Sequence, residues 1–248
     1  LLMIEHLTYL NESVAKAAGL KGIELVENRS IYTLLSSFDS TAIANLEAKG
    51  DEPLAAEVSG YEWAQIIKYL QNNTRLNKLV LIETMETPKG VPLALCFTDG
   101  TPDTREAIIA FKGTTGGDEW SDNVEGAILR DTPDQIEALE FVQGLPYADI
   151  TLTGHSKGGN KANYITILCD KVTRCVGFDP QGFSQLFLND PKYSKRIEER
   201  ASLIKNYSLS TDFVHILLYE LPGAKQIFCK GFGAVSYTHL RAHETGRN

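Results

Sequence analysis

The run Gly154-His155-Ser156-Lys157-Gly158-Gly159 constrains this 248-residue chain more than any other. A β-type run, Ile150-Thr151-Leu152-Thr153, enters it, and a helical run from Lys157 to Asp170 leaves it. Small residues at 154 and 158 let the backbone turn sharply between strand and helix, so that the serine stands strained and exposed above a sheet. The helix that starts there aims its N-terminal amides and positive dipole end at any negative charge developing beside the serine. The same letters in a plain glycine-rich turn would instead suit a phosphate cradle. The strand-turn-helix setting selects the nucleophile reading, with Ser156 as the reacting residue.

The rest of the chain supplies a sheet to carry that turn. Short apolar runs at Lys78 to Glu83, Leu93 to Thr98 and Glu106 to Phe111 are separated by Pro/Gly-containing turns. Thr132-Pro133-Asp134-Gln135 has the marks of a helix start: a Thr cap, Pro in the first turn and Gln three residues after the cap. That helix runs to about Gln143. Strands are expected at Asp149 to Thr153, Thr173 to Phe178 and Ser202 to Ser208, and a charged helix at Asp190 to Arg200. This alternation predicts an α/β fold with a mostly parallel sheet and helices on both faces. Before it, Trp63, Ile66, Ile67 and Leu70 follow the i, i+3, i+4, i+7 spacing of one buried helical face, within a helix over Ser59 to Asn72. Residues 1–75 therefore read as a helical N-terminal segment packed on or capping the core, and 76–234 as the core itself.

Charge and cysteine usage narrow the classes. Twenty-four Lys+Arg against 32 Asp+Glu give a formal net charge of −8, which disfavours a nucleic-acid binder with its basic face. No apolar run approaches the roughly 18–20 residues of a membrane span. Leu1-Leu2-Met3-Ile4 is cut at once by Glu5-His6, so no signal peptide is read there, although a chain that begins with Leu leaves a missing leader open. Cys96, Cys169, Cys175 and Cys229 lie in or beside apolar runs without ligand spacing. They read as buried, reduced thiols of a cytoplasmic protein, and a disulfide between two of them would change that compartment.

A serine needs a base, and the base needs an acid to orient it. In the hydrolase order both follow the serine. Asp179 closes the strand after the turn, and Asp212 lies one strand further on. Asp212 is favoured because Asp212-Phe213-Val214 sits in an apolar stretch where an unpaired carboxylate is costly, whereas Asp179 before Pro180 reads as a turn residue. Of the five histidines, His6 lies far upstream, His155 is inside the turn and His215 is only three residues from Asp212. His239 and His243 have the right order and distance.

Phe111-Lys112-Gly113-Thr114-Thr115, then Gly154-His155-Ser156-Lys157-Gly158-Gly159-Asn160, then Asp212-Phe213-Val214 resemble the class 3 (triacylglycerol) lipase branch of the α/β hydrolases. The likeness is to its bacterial lipase-like members with the His-Ser-Lys-Gly-Gly-Asn form, and covers roughly residues 60 to 230. The resemblance implies Ser156 as nucleophile, Asp212 as triad acid, and Thr114 with the Lys157 backbone N–H as the oxyanion hole. It implies a serine hydrolase of acyl esters or lipids working through an acyl-enzyme, with no metal or organic cofactor. Two features depart from the lipase pattern. Lys157 replaces an apolar residue, either favouring acidic or polar ligands or simply standing solvated at the helix start. No aromatic lid is evident between Thr115 and Gln135, where Asp118-Glu119-Trp120-Ser121-Asp122 is acidic, so insoluble triglyceride is not the first substrate expected.

The end of the chain has a different texture. Val235-Ser236-Tyr237-Thr238-His239-Leu240-Arg241-Ala242-His243-Glu244-Thr245 reads as the translation of a widely used transposase sequencing adapter, and no apolar period follows Ala234. The expectation is that 235–248 is a non-native tail. On that expectation the base, due a few tens of residues after Asp212, is missing from this chain; the alternative is that His239 is the true base. Two alternatives to a hydrolase stay open: an inactive hydrolase-fold binding protein, and an acyltransferase using the same triad.

Overall fold

The computed structural model describes residues 1–113, 131–209 and 218–229. The fold is α/β, and its contacts divide the chain into two compact units, Met3–Ala107 and a second that runs from Ile108 and takes in Leu1–Leu2.

In the first unit, short helices form where a polar cap precedes apolar residues. These are α1 (Leu2–His6), α2 (Glu12–Ala17), α3 (Ile31–Leu34), α4 (Ser40–Ala48) and α5 (Gly60–Asn72). Asn11 caps α2 by accepting from the Ser13 and Val14 amides, and Asp39 caps α4 in the same manner. Ser59 and Glu62 form a reciprocal capping box at the start of α5. The predicted face of α5 is buried: Trp63, Ile66, Ile67 and Leu70 are all enclosed, against α2, α3 and α4. The Trp63 indole N–H donates to the Ala55 carbonyl at 3.2 Å, so the large ring is buried without an orphaned donor. Three strands complete the unit, β1 (Arg29–Ser30), β2 (Val80–Glu86) and β3 (Pro92–Thr98), with β2 antiparallel to both its neighbours. The β2–β3 pair is a hairpin whose turn, at Thr87 to Val91, has Gly90 at φ 73°.

The second unit holds the parallel part. Its strands are β4 (Glu106–Phe111), β5 (Asp149–His155), β6 (Val172–Phe178), β7 (Ile204–Leu209) and β8 (Lys225–Cys229), adjacent in that order. The β5–β6, β6–β7 and β7–β8 pairs are parallel. Helices α6 (Pro133–Gly144), α7 (Lys157–Leu168), α8 (Gln185–Leu188) and α9 (Pro191–Arg200) lie between them in sequence. α7 rests on β5 and β6 and is flanked by α6 and α9. It is buried almost all round, from Gly158 to Ile167, as a central crossover helix must be. The expected elements form with small shifts at their ends: α7 stops at Leu168 rather than Asp170. β8 was not anticipated, because Lys225-Gln226-Ile227-Phe228-Cys229 is short and only half-buried. All four cysteines are free thiols; burial pushes Cys96 and Cys175 up to about 12. Among the described residues no helix is long and apolar enough to cross a membrane.

Candidate active site

β5 ends at His155 and α7 begins at Lys157, so a single residue, Ser156, makes the whole turn. Its backbone sits at φ 53°, ψ −121°, a conformation that costs a residue with a β-carbon about 1–3 kcal/mol. Three hydrogen bonds hold it there. The Ser156 amide donates to the Phe178 carbonyl at 3.1 Å, and the Ser156 carbonyl accepts from the Asn160 amide at 3.0 Å and the Gln181 amide at 3.1 Å. Strand β6 and the turn after it thus fix the serine from the side opposite its own helix.

The glycines of the motif are required by backbone packing. A β-carbon on Gly154 would stand 2.4 Å from the Gly158 carbonyl carbon. One on Gly158 would stand 2.3 Å from the Phe111 carbonyl oxygen and 2.8 Å from the carbonyl group of Lys112. One on Gly159 would meet Pro180 at 2.8 Å. The contact at Gly158 has a chemical consequence: the end of β4 and the start of the Phe111-Lys112-Gly113 loop lie directly against the first turn of α7. Two segments that could present backbone donors to one oxyanion are therefore adjacent.

The side chains around the turn are neutralised or tied. Lys157 Nζ is 3.1 Å from Asp134 Oδ2 in the first turn of α6, and the lysine side chain is only 15% exposed. The solvated alternative for Lys157 is thereby replaced by a paired one: its charge is directed sideways, to another helix. Burial around the His155 imidazole holds its pKa down to about 4, so this ring is neutral at neutral pH. Asp131, just before α6, accepts from the hydroxyls of Tyr164 at 2.9 Å and Tyr193 at 2.8 Å. Burial and the Asp131 carboxylate together raise the Tyr164 hydroxyl well above the usual tyrosine range.

Two residues are more engaged than the sequence suggested. Asp179, which read as a turn residue, is buried at φ 42°, and its Oδ1 accepts from the Leu209 amide at 2.6 Å. It stitches the end of β6 to the end of β7. Asn160, quoted only as a letter of the motif, is buried and makes three side-chain hydrogen bonds. Its Nδ2 donates to the carbonyls of Gln181 at 3.2 Å and Gly182 at 2.7 Å, and its Oδ1 accepts from Gln135 Nε2 at 2.6 Å. The sequence signal for Gln135 was its place in the capping box with Thr132; nothing local could have shown that its other end reaches α7.

Behind the turn lies a cavity of about 20 Å³, lined in part by Asn163, Gln181, Asn206 and Ser208. That is room for about one water molecule, between walls of mixed character that also include Phe183 and Leu221. Thr114, Asp212, His215, His239 and His243 lie outside the described residues.

The site therefore comprises a strained serine on a strand-helix turn, a helix N-terminus beneath it and a β4 loop beside that terminus. No curated protein matches the chain. A family model described as Mbeg1-like matches residues 75–218, more than half of the sequence, and the chain belongs to this family, which is related to the class 3 lipase and α/β-hydrolase group.

Proposed function

We propose that the protein is a serine hydrolase that cleaves carboxylic esters through an acyl-enzyme. The observation that carries the reading is the backbone of Ser156: a non-glycine residue at φ 53° on a one-residue strand-to-helix turn, with glycine enforced on both sides by contact with neighbouring backbone. Strain of this kind persists only where the surroundings over-determine it, and it gathers at reacting residues.

In this reading Ser156 Oγ attacks the ester carbonyl while a histidine takes its proton. Asp212 orients that histidine and stabilises its charged form. The base is a histidine that follows Asp212: His239 where the 235–248 stretch is native, and otherwise one of the natural sequence after Ala234. The oxyanion is held by the backbone N–H of Lys157 and by Thr114, which follows the loop packed on Gly158. The protonated histidine then gives its proton to the departing alcohol, leaving Ser156 acylated. Water, deprotonated by the same histidine, releases the acid. All of this is chemistry of side chains and backbone, with no cofactor step. Pairing of Lys157 with Asp134 favours an uncharged acyl group over an anionic one at the turn.

The test is turnover of short-chain activated esters by the full-length protein, followed for a burst of alcohol ahead of steady release. The reading expects a burst in the wild type and none in Ser156→Ala, with turnover down by roughly 10⁶. Asp212→Asn should keep substrate binding but lower turnover by about 10⁴. A burst that survives Ser156→Ala would show the nucleophile to be wrongly assigned.

A further inference from the structure

We propose that Asn160 is a positioning residue for the nucleophile, which holds Ser156 in its reactive turn through the Gln181–Gly182 backbone. The proposal rests on the reading of Ser156 as nucleophile and assigns the device that keeps it in place.

Four linked orientations carry the argument. The Thr132 amide donates to Gln135 Oε1 at 2.8 Å, which leaves the Gln135 amide nitrogen pointing away from its own helix. That nitrogen donates to Asn160 Oδ1 at 2.6 Å. The Asn160 amide is thereby turned so that Nδ2 faces the Gln181 and Gly182 carbonyls. Gln181 in turn donates its amide to the Ser156 carbonyl at 3.1 Å. Each link fixes which end of the next amide donates. A buried chain of this kind is stiff, because reversing any member sets oxygen against oxygen.

The chemistry needs an amide at 160. A carboxylate there would oppose two carbonyl oxygens, and an aliphatic side chain would leave both carbonyls buried without a donor. The Lys157–Asp134 pair joins the same two helix starts independently, so the first turn of α6 is fastened to the first turn of α7 at two points. Strain at Ser156 favours relaxation of the turn; the Asn160 clamp opposes it from the side that the helix's own hydrogen bonds do not reach.

Asn163 provides the matched control. It lies one turn along α7 and is buried, and its side chain donates to Asn206 Oδ1 at 3.2 Å and accepts from Cys175 Sγ at 3.4 Å. With Gln181 and Gly182 it shares the wall of a small cavity but no side-chain hydrogen bond. The experiment measures inactivation of the full-length protein by a fluorophosphonate across probe concentrations, which separates probe binding from phosphonylation. Asn160→Ala is expected to lower the limiting phosphonylation rate about 100-fold, as misplacement by an ångström does, with the half-saturating concentration changed less than about twofold. Gln135→Leu, which leaves α7 intact and removes the orienting donor together with the acceptor that caps the start of α6, is expected to lower the rate about tenfold with the same split. Asn163→Ala is expected to lose stability but to keep the wild-type rate. Equal slowing by Asn160→Ala and Asn163→Ala, or a wild-type rate in a folded Asn160→Ala or Gln135→Leu protein, overturns the proposal. A wild-type protein that takes no label at Ser156 overturns the nucleophile reading, and the proposal with it.

Discussion

At the scale of single residues, the molecule is defined by a few groups held in costly states. Ser156 is one and Glu5 is another. Glu5 is fully buried in α1, and burial pushes its pKa up to about 8 against the smaller, opposing pull of the Tyr9 hydroxyl. His6 Nδ1, itself buried, is 3.5 Å away. An acid whose folded pKa exceeds its unfolded one contributes stability fully below the unfolded value, about 4.5 here, and loses it as pH rises toward 8. The wild type should therefore become less stable by a few kcal/mol between pH 5 and 8. Glu5→Gln should flatten that slope and be the more stable protein at pH 8, as read by denaturant unfolding at several pH values. An unchanged slope in the variant would remove Glu5 as its cause. Gly158→Ala makes a complementary prediction, because its β-carbon would stand 2.3 Å from the Phe111 carbonyl oxygen. Both elements must part, so stability should fall by about 1–3 kcal/mol or more, and reaction at Ser156 should fall with it. Retention of both in Gly158→Ala would show that the close packing of β4 on α7 is not needed.

At the scale of elements, helix starts were the most legible features, because caps are local chemistry. The Ser59/Glu62 and Thr132/Gln135 boxes form with the partners their spacing dictates. Ser59→Ala should cost about 1 kcal/mol by thermal or denaturant unfolding, with reaction at Ser156 unaffected. A loss well below that would mean that burial of Trp63, Ile66 and Ile67, rather than the cap, fixes where α5 begins. The strand-turn-helix at Ser156 was legible for the same reason: a short apolar run, two small residues and a helical run are all read within about 20 residues. What could not be read locally was the set of cross-element bonds. Asp179 looked like a turn residue because its partner, the Leu209 amide, is 30 residues away. The partner of Lys157 is Asp134, on the helix before, so a residue that read as solvated is paired. β8 was missed because a half-buried strand of five residues carries little pattern of its own.

At the scale of the whole molecule, the order of elements was legible in the sequence and pointed to the α/β class, since alternation of period-2 and period-3.6 runs leaves few other solutions. The antiparallel pairing of β2 with β3 belongs to the hairpin turn between them, and the parallel pairs begin where helices intervene. The site was legible to the extent that its residues sit at the ends of those elements. Ser156 and Lys157 do. The triad acid was assigned from its order, its apolar neighbours and the resemblance of its motif, the base from order and spacing alone, and the 235–248 stretch that carries His239 has no apolar period to anchor it.

The central claim is that Ser156 is an activated nucleophile, and one measurement meets it directly. The full-length protein is reacted with a fluorophosphonate, digested, and the adduct located by peptide mass spectrometry. The account predicts one adduct per chain, on the peptide containing Gly154-His155-Ser156-Lys157, absent in Ser156→Ala and after prior unfolding. An adduct at another residue, or none on the folded full-length protein, would contradict it.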